Sequence, residues 1–195
     1  VIDPQDKWDS IYADCNQTPN VSEVLSTHNH LLPEQGKALD LACGLGGNAL
    51  LLAEHGLSVD AWDISAVALS RLQIQAEQRQ LQIALRQVFV NPGKLPRNYY
   101  DVIVISRFLD RSLCNAIMAA LKTEGLLFYQ TFTRNKLDRQ GPGNPAYLLD
   151  CNELLHLFSP LNLVFYQEYA RIGDLRRGNR NEACFIGQKL KPVPI

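Results

Sequence analysis

Asp40-Leu41-Ala42-Cys43-Gly44-Leu45-Gly46-Gly47-Asn48-Ala49 is the stretch on which the fold of this chain turns. Its front half continues a short apolar strand, Lys37 to Ala42, and its back half is a cluster of small residues. Small residues are needed where a strand turns sharply into a helix and a ligand meets the backbone, because side chains there would block both. Gly44 to Ala49 fits G-x-G-x-x-[GA], a turn whose backbone approaches a nucleotide. The pattern also describes dinucleotide sites, so a nicotinamide-dependent oxidoreductase stays open on this evidence. The segment that follows, Asn48 to His55, is rich in Leu and Ala and stops at Gly56, a helix C-terminal signal.

Outward from the turn, strand and helix patterns alternate. Leu57 to Trp62 reads as a second strand, and Ser65 can cap a helix running to about Arg79. Gln82 to Phe89 marks a third strand. Asp101-Val102-Ile103-Val104-Ile105 is a continuous apolar run, the signature of a strand buried on both faces. Leu113 to Lys122 is predicted helical and ended by Gly125, and Leu126 to Phe132 is a fifth strand. The rhythm then changes. Arg134 to Tyr147 is a Gly- and Pro-bearing loop, Cys151 to Phe158 a short helix, and Asn162 to Tyr169 and Glu182 to Gln188 two strands of a wide hairpin.

Strand-helix alternation builds a parallel sheet with right-handed crossovers. The fold expected is therefore α/β: a Rossmann-like three-layer sandwich with a mostly parallel seven-stranded sheet and an antiparallel C-terminal strand. One domain of 195 residues is expected. Its parts are an N-terminal helical lid (1–36), a cofactor-binding half (37–132) and a C-terminal, substrate-side half (133–195).

Two acids sharpen the reading of the turn. Asp40 lies four residues before Gly44, and Asp63 ends the second strand, where a ribose-binding carboxylate belongs. A carboxylate there can accept hydrogen bonds from both ribose hydroxyls. The closing hairpin strand is a further feature that a plain dinucleotide domain does not require.

With these residues in view, Asp40 to Leu50 and Leu52-Ala53-Glu54-His55-Gly56 resemble motif I, and the helix after it, of class I S-adenosylmethionine-dependent methyltransferases. Asp63-Ile64-Ser65-Ala66-Val67-Ala68-Leu69 resembles the acidic loop of that family. Within it, Asp6-Lys7-Trp8-Asp9 with Tyr12 is similar to the N-terminal signature of small bacterial enzymes of the tellurite-resistance and thiopurine type. The resemblance implies S-adenosylmethionine as cofactor and S-adenosylhomocysteine as product. It implies cofactor contacts from Asp40, Ala42, Cys43, Gly44, Gly46, Asn48, Asp63, Ile64, Ser65 and Ser106, with Asn91 offered to the adenine amino group. Trp8, Tyr12, Arg107 and Phe108 are the residues expected near the substrate. Two departures stand out: Ala42 replaces the usual glycine, and Gly47 stands where related chains often carry arginine.

The net charge of −1 supplies no global field for nucleic acid or anionic membrane. No apolar run approaches the ~20 residues of a membrane helix, and the first residues, with Asp3, Asp6 and Lys7, carry no apolar signal core. Val1 in place of a methionine is compatible with processing upstream. Five cysteines, at 15, 43, 114, 151 and 184, form no C-x-x-C pair and sit at no zinc spacing to a histidine, so free thiols in a reducing cytoplasm and no metal are expected. Ser106-Arg107-Phe108-Leu109 is not the Asn/Asp-Pro-Pro-aromatic motif of many base-amino methyltransferases.

The acceptor expected is thus a small molecule, a thiol or a chalcogen or metalloid oxyanion that needs little general-base help. No catalytic residue is assigned. Arg171, Arg176, Arg177 and Arg180 keep RNA methylation open, and a methyltransferase-like binding protein without turnover is the remaining alternative.

Overall fold

The structure, a computed structural model, describes residues 3–15 and 18–191; the parts of the lid and of the C-terminal half assigned to residues 1, 2, 16, 17 and 192–195 lie outside the described residues. Among the described residues seven strands are present: β1 (Lys37–Leu41), β2 (Ser58–Asp63), β3 (Ile83–Gln87), β4 (Tyr100–Ser106), β5 (Leu121–Phe132), β6 (Asn162–Gln167) and β7 (Glu182–Gln188). They form one sheet in the order β3-β2-β1-β4-β5-β7-β6. The pairings among β1 to β5 are parallel, and β7 pairs antiparallel with both β5 and β6. The Rossmann-like sheet with a reversed C-terminal strand is therefore present as expected.

Among the described residues six α-helices flank it: α1 (Pro4–Ala13), α2 (Glu23–Thr27), α3 (Gly47–Glu54), α4 (Ala66–Gln78), α5 (Cys114–Ala120) and α6 (Glu153–Leu157). Alternate residues of each central strand point to opposite faces. Leu39, Leu41, Ile103 and Ile105 join Ile117 and Leu154 on one face; Ala38, Val102 and Val104 join Leu50, Leu52 and Leu72 on the other. Val102 to Ile105 are fully buried. At about 1.5–3 kcal/mol for each side chain of this size taken from water, β4 anchors both layers.

Two expectations change. The N-terminal segment is not a lid throughout: Val24 and Leu25 of α2 are in the core with α3 and α4, whereas α1 buries no residue completely. The apolar pair in α2 packs toward β5 and β7, a placement that no local sequence pattern announces. The second change is at Gly125. Helix α5 ends at Ala120 and β5 already begins at Leu121, opposite Tyr100. Gly125 is not the helix stop. It lies inside the strand, where a Cβ would meet the carbonyls of Lys122 and Tyr100 at 2.9 and 3.1 Å.

Among the described residues no helix is long and apolar enough to cross a membrane, and no cluster of His, Cys, Asp or Glu could hold a metal. All five cysteines are free; Cys43, Cys114 and Cys184 are buried.

Candidate cofactor and acceptor site

In an open α/β sheet the ligand crevice opens at the carboxyl ends of the strands, where the strand order reverses. Here that point lies between β1 and β4. The turn after β1 and the residues ending β4 meet across it: Asn48 Nδ2 donates to Ser106 Oγ at 3.1 Å.

The turn is held by the two acids. Asp63 Oδ2 accepts from the Gly44 N–H at 2.7 Å, and its Oδ1 accepts from Ser65 N–H at 2.8 Å. Burial raises the Asp63 carboxyl above its ordinary range, against the lowering effect of these amide bonds. Asp40 is fully buried; its Oδ2 accepts from Ala49 N–H at 2.9 Å, and its Oδ1 has no partner. Burial pushes Asp40 up to about 7, with the charge of Asp63 adding to it. Cys43 is buried against the turn, its backbone N–H donating to Trp62 at 3.0 Å, and burial drives its thiol well above its ordinary value. Ala42 and Gly44 both have left-handed backbone, at φ +56° and +52°. The first value explains why related chains place glycine at Ala42. Gly46, at φ +77°, opens α3, and a Cβ there would strike Leu72 at 2.3 Å. Gly47 is small for another reason: the backbone carbonyl of Asn20 stands 2.3 Å from where its Cβ would be.

Two cavities open beside the residues that end or follow β2 and β4. One, of about 350 Å³, is walled by Ile64, Gln87, Val88 and Phe89 with Asp3, Pro4 and Gln5. Ile64, the residue after Asp63, with Val88 and Phe89 gives it an apolar part beside the polar Asp3, Gln5 and Gln87. The other, of about 320 Å³, lies beyond Asn48 on the β4 and β5 side. Ser106, Arg107, Gln130, Asn179 and the segment Asn20 to Glu23 line it, with Ser26.

Helix α1 packs against α4, and its first residues line the first cavity. Asp3 caps it and Pro4 occupies its first turn, which suits a missing amide donor. Asp9 accepts from Ser65 Oγ and from Val67 N–H, which lowers its carboxyl below the ordinary value. Arg71 of α4 donates to the carbonyls of Ala13 and Cys15. The Tyr12 hydroxyl stands directly over Gly44, 2.6 Å from the position of a Cβ. Burial, with the charge of Asp63, raises its phenol further. Trp8 stacks on Tyr12 with ring centroids 5.8 Å apart and stays 39% exposed.

The structure thus brings together Asp40, Ala42, Cys43, Gly44, Gly46, Asn48, Asp63, Ile64, Ser65, Ser106, Tyr12 and Arg107. Trp8 lies at the rim of this group, stacked on Tyr12, and two expected residues stand apart. Asn91 Oδ1 is engaged by Gly93 N–H at 3.1 Å, and the residue lines neither cavity. Phe108 packs against the core, and its carbonyl accepts from Tyr129 Oη at 3.0 Å. Arg107 lines the second cavity and pairs through Nε with Glu182 at 2.8 Å. Its φ of +54° is a left-handed conformation in a non-glycine residue. Such strain costs about 1–3 kcal/mol and persists where the surroundings enforce it, commonly at functional sites.

Sequence reading missed Phe89, Ser22, Gln130, Asn179 and Glu182. Gln130 had a signal, being the one amide in the apolar run Leu126 to Phe132. The arginine cluster of the last hairpin is largely committed internally. Arg180 donates to the carbonyls of Tyr169, Ile172, Asp174 and Arg177, and Arg176 pairs with Asp174 at 3.0 Å.

Comparison with known proteins agrees with this geometry. The family model described as tellurite resistance protein TehB matches residues 5–184. The probable S-adenosyl-L-methionine-dependent methyltransferase TehB of Haemophilus influenzae (strain 10810) is 29% identical, over 52% of this chain and 43% of its own length. The putative methyltransferase YqeM of Bacillus subtilis (strain 168) is 30% identical, over 54% of this chain and 46% of its own. The chain spans less than half the length of these curated relatives in the matched regions. The crystal structure of TehB from Haemophilus influenzae superposes with a TM-score of 0.71 at 24% identity, covering 94% of this chain and 67% of that one.

Proposed function

The chain belongs to the TehB tellurite-resistance family, and from that premise we propose that it transfers the methyl group of S-adenosylmethionine to a small-molecule acceptor. The observation that carries the reading is the glycine turn after β1, braced by Asp63 at Gly44 and by Asp40 at Ala49, with Asn48 reaching Ser106 at the end of β4.

The residues present fit the cofactor. Ile64 and Phe89 would flank the adenine. Asp63 would take the ribose hydroxyls; each carboxylate oxygen has capacity beyond the one amide it already accepts. The partnerless Oδ1 of Asp40 would meet the ammonium of the methionine portion, directly or through water. S-adenosylmethionine supplies a methyl group on a sulfonium centre, so the difficult chemistry belongs to the cofactor. Tyr12 must yield some space above Gly44 when the cofactor enters, and α1 can then close over it and exclude water.

On the acceptor side, Ser106, Arg107, Gln130 and Asn179 make a polar pocket. Arg107 favours an oxyanion acceptor over an apolar thiol, since a guanidinium recognises oxygens with paired donors. Holding the acceptor in line with the methyl carbon supplies much of the rate. The buried free thiols Cys43, Cys114 and Cys184 support action in the reducing cytoplasm.

Calorimetry with S-adenosylmethionine and S-adenosylhomocysteine, followed by methyl transfer to tellurite, selenite and small thiols, tests the reading. Binding of both ligands and turnover of an oxyanion are expected. Tight binding of a reduced nicotinamide with none of S-adenosylhomocysteine would overturn it, and cofactor binding without turnover of any acceptor would leave a binding protein.

A further inference from the structure

We propose that Glu182 is the positioning residue of the acceptor cavity, holding Arg107 and Gln130 so that Arg107 presents its remaining guanidinium donors to an anionic acceptor. The proposal rests on the methyl-transfer reading for the identity of the acceptor. Its geometry is independent of that reading.

Glu182 opens β7 opposite Phe132 and is only 4% exposed. A buried carboxylate is unfavourable unless donors surround it. Three converge here: Arg107 Nε on Oε1 at 2.8 Å, and Asn179 Nδ2 at 2.9 Å together with Gln130 Nε2 on Oε2. Each donor belongs to a residue that lines the cavity, whereas Glu182 itself is not part of the wall.

The consequences follow from donor and acceptor chemistry. A carboxylate accepts only, so Gln130 must turn its Nε2 toward Glu182 and its Oε1 away. That Oε1 accepts from Val24 N–H at 2.9 Å, where α2 begins. The same carboxylate takes Nε of Arg107 and fixes the guanidinium plane. Among the described residues no hydrogen bond engages the two Nη groups of Arg107. A long, flexible side chain becomes a fixed fork, the form in which arginine recognises oxyanions. One carboxylate thus links the ends of β4, β5 and β7 and the N-terminal segment around one cavity.

The charge balance makes the proposal testable by sign. If Glu182 acted only through its charge, its removal would strengthen anion binding beside Arg107. Positioning predicts the opposite, because a glutamine offers one oxygen where three donors converge. Selenite is titrated by calorimetry into the chain saturated with S-adenosylhomocysteine. E182Q should weaken selenite about tenfold while leaving S-adenosylhomocysteine affinity near that of the parent chain, with the thermal midpoint lowered but the chain folded, because one donor loses its acceptor. R107A should weaken it at least as much, and the double variant no further, because both changes remove one coupled unit. The Arg107 Nε–H resonance, read in the absence of any ligand, should be protected in the parent chain and lost to exchange in E182Q.

Equal or tighter selenite binding by E182Q overturns the proposal, as does an unchanged Arg107 resonance. If the parent chain binds no selenite, the resonance alone decides. Failure to bind S-adenosylhomocysteine defeats the methyl-transfer reading separately, since the ordering of Arg107 is measured without it.

Discussion

Asp63 accepts the Gly44 amide at 2.7 Å, so the acid that ends β2 holds the glycine turn that ends β1. The residue expected to bind ribose is therefore also a brace of the loop on which the cofactor would lie, and its two roles can be separated by substitution.

Hydrogen bonds to a charged group contribute about 1.5–3 kcal/mol each. Asp63→Ala should weaken S-adenosylhomocysteine binding roughly ten- to a hundredfold or more, and it should also lower the thermal midpoint, because Gly44 and Ser65 lose their acceptor. Asp63→Asn keeps one acceptor and should recover much of the stability but not the affinity. Calorimetry and thermal denaturation on the same samples read the two separately. An affinity unchanged in a folded Asp63→Ala chain would exclude the ribose role.

The pH dependence should follow Asp40. Burial raises its folded-state value to about 7 from an ordinary 3.8. A raised acid gives stability that is fully present below the unfolded value and is lost as pH rises through the folded one. The parent chain should therefore lose stability relative to Asp40→Asn between about pH 4 and 7. An ammonium placed at Asp40 Oδ1 favours the ionised carboxylate. S-adenosylhomocysteine affinity should then rise with pH, approaching tenfold per unit below about 7, with proton release on binding. A flat affinity between pH 5.5 and 7.5, measured in two buffers of different ionisation enthalpy, would remove Asp40 from the ligand contact.

Arg71 should govern how firmly α1 is seated. Its guanidinium reaches the carbonyls of Ala13 and Cys15, and α1 has no fully buried residue to hold it otherwise. Arg71→Ala should speed tryptic cleavage at Lys7 and dissociation of S-adenosylhomocysteine, each by roughly fivefold or more for about 1 kcal/mol of lost seating. The core transition should stay within a few degrees of the parent. Cleavage at an unchanged rate would mean that Asp9 and Tyr12 hold the helix without it.

Ala42 should be a site of gain. Its backbone is left-handed, at φ +56°, which strains any residue with a Cβ. Ala42→Gly relieves that strain but enlarges the unfolded ensemble, so a net stabilisation of about 0.5–1 kcal/mol is expected. Denaturant titration checks it, and a loss of stability would show that the methyl group of Ala42 is needed in packing.

The local chain determined a great deal. Apolar runs such as Val102 to Ile105, the small residues from Ala42 to Gly47, and Ser65 before its helix specify strand, turn and cap through steric and hydrogen-bonding rules that span only a few residues. The sheet class and the two acids Asp40 and Asp63 at the strand ends were therefore legible, because each stands where a strand passes into its turn. What the tertiary structure alone decided is which distant residues meet. Glu182 comes to Arg107 across 75 positions and Val24 to Gln130 across 106. Asn20 comes to lie over Gly47, and Phe89 comes to line a cavity with Asp3, Pro4 and Gln5. Such encounters are set by strand order and by the packing of α1 and α2 on the folded sheet, and side-chain spacing along the chain carries no record of them.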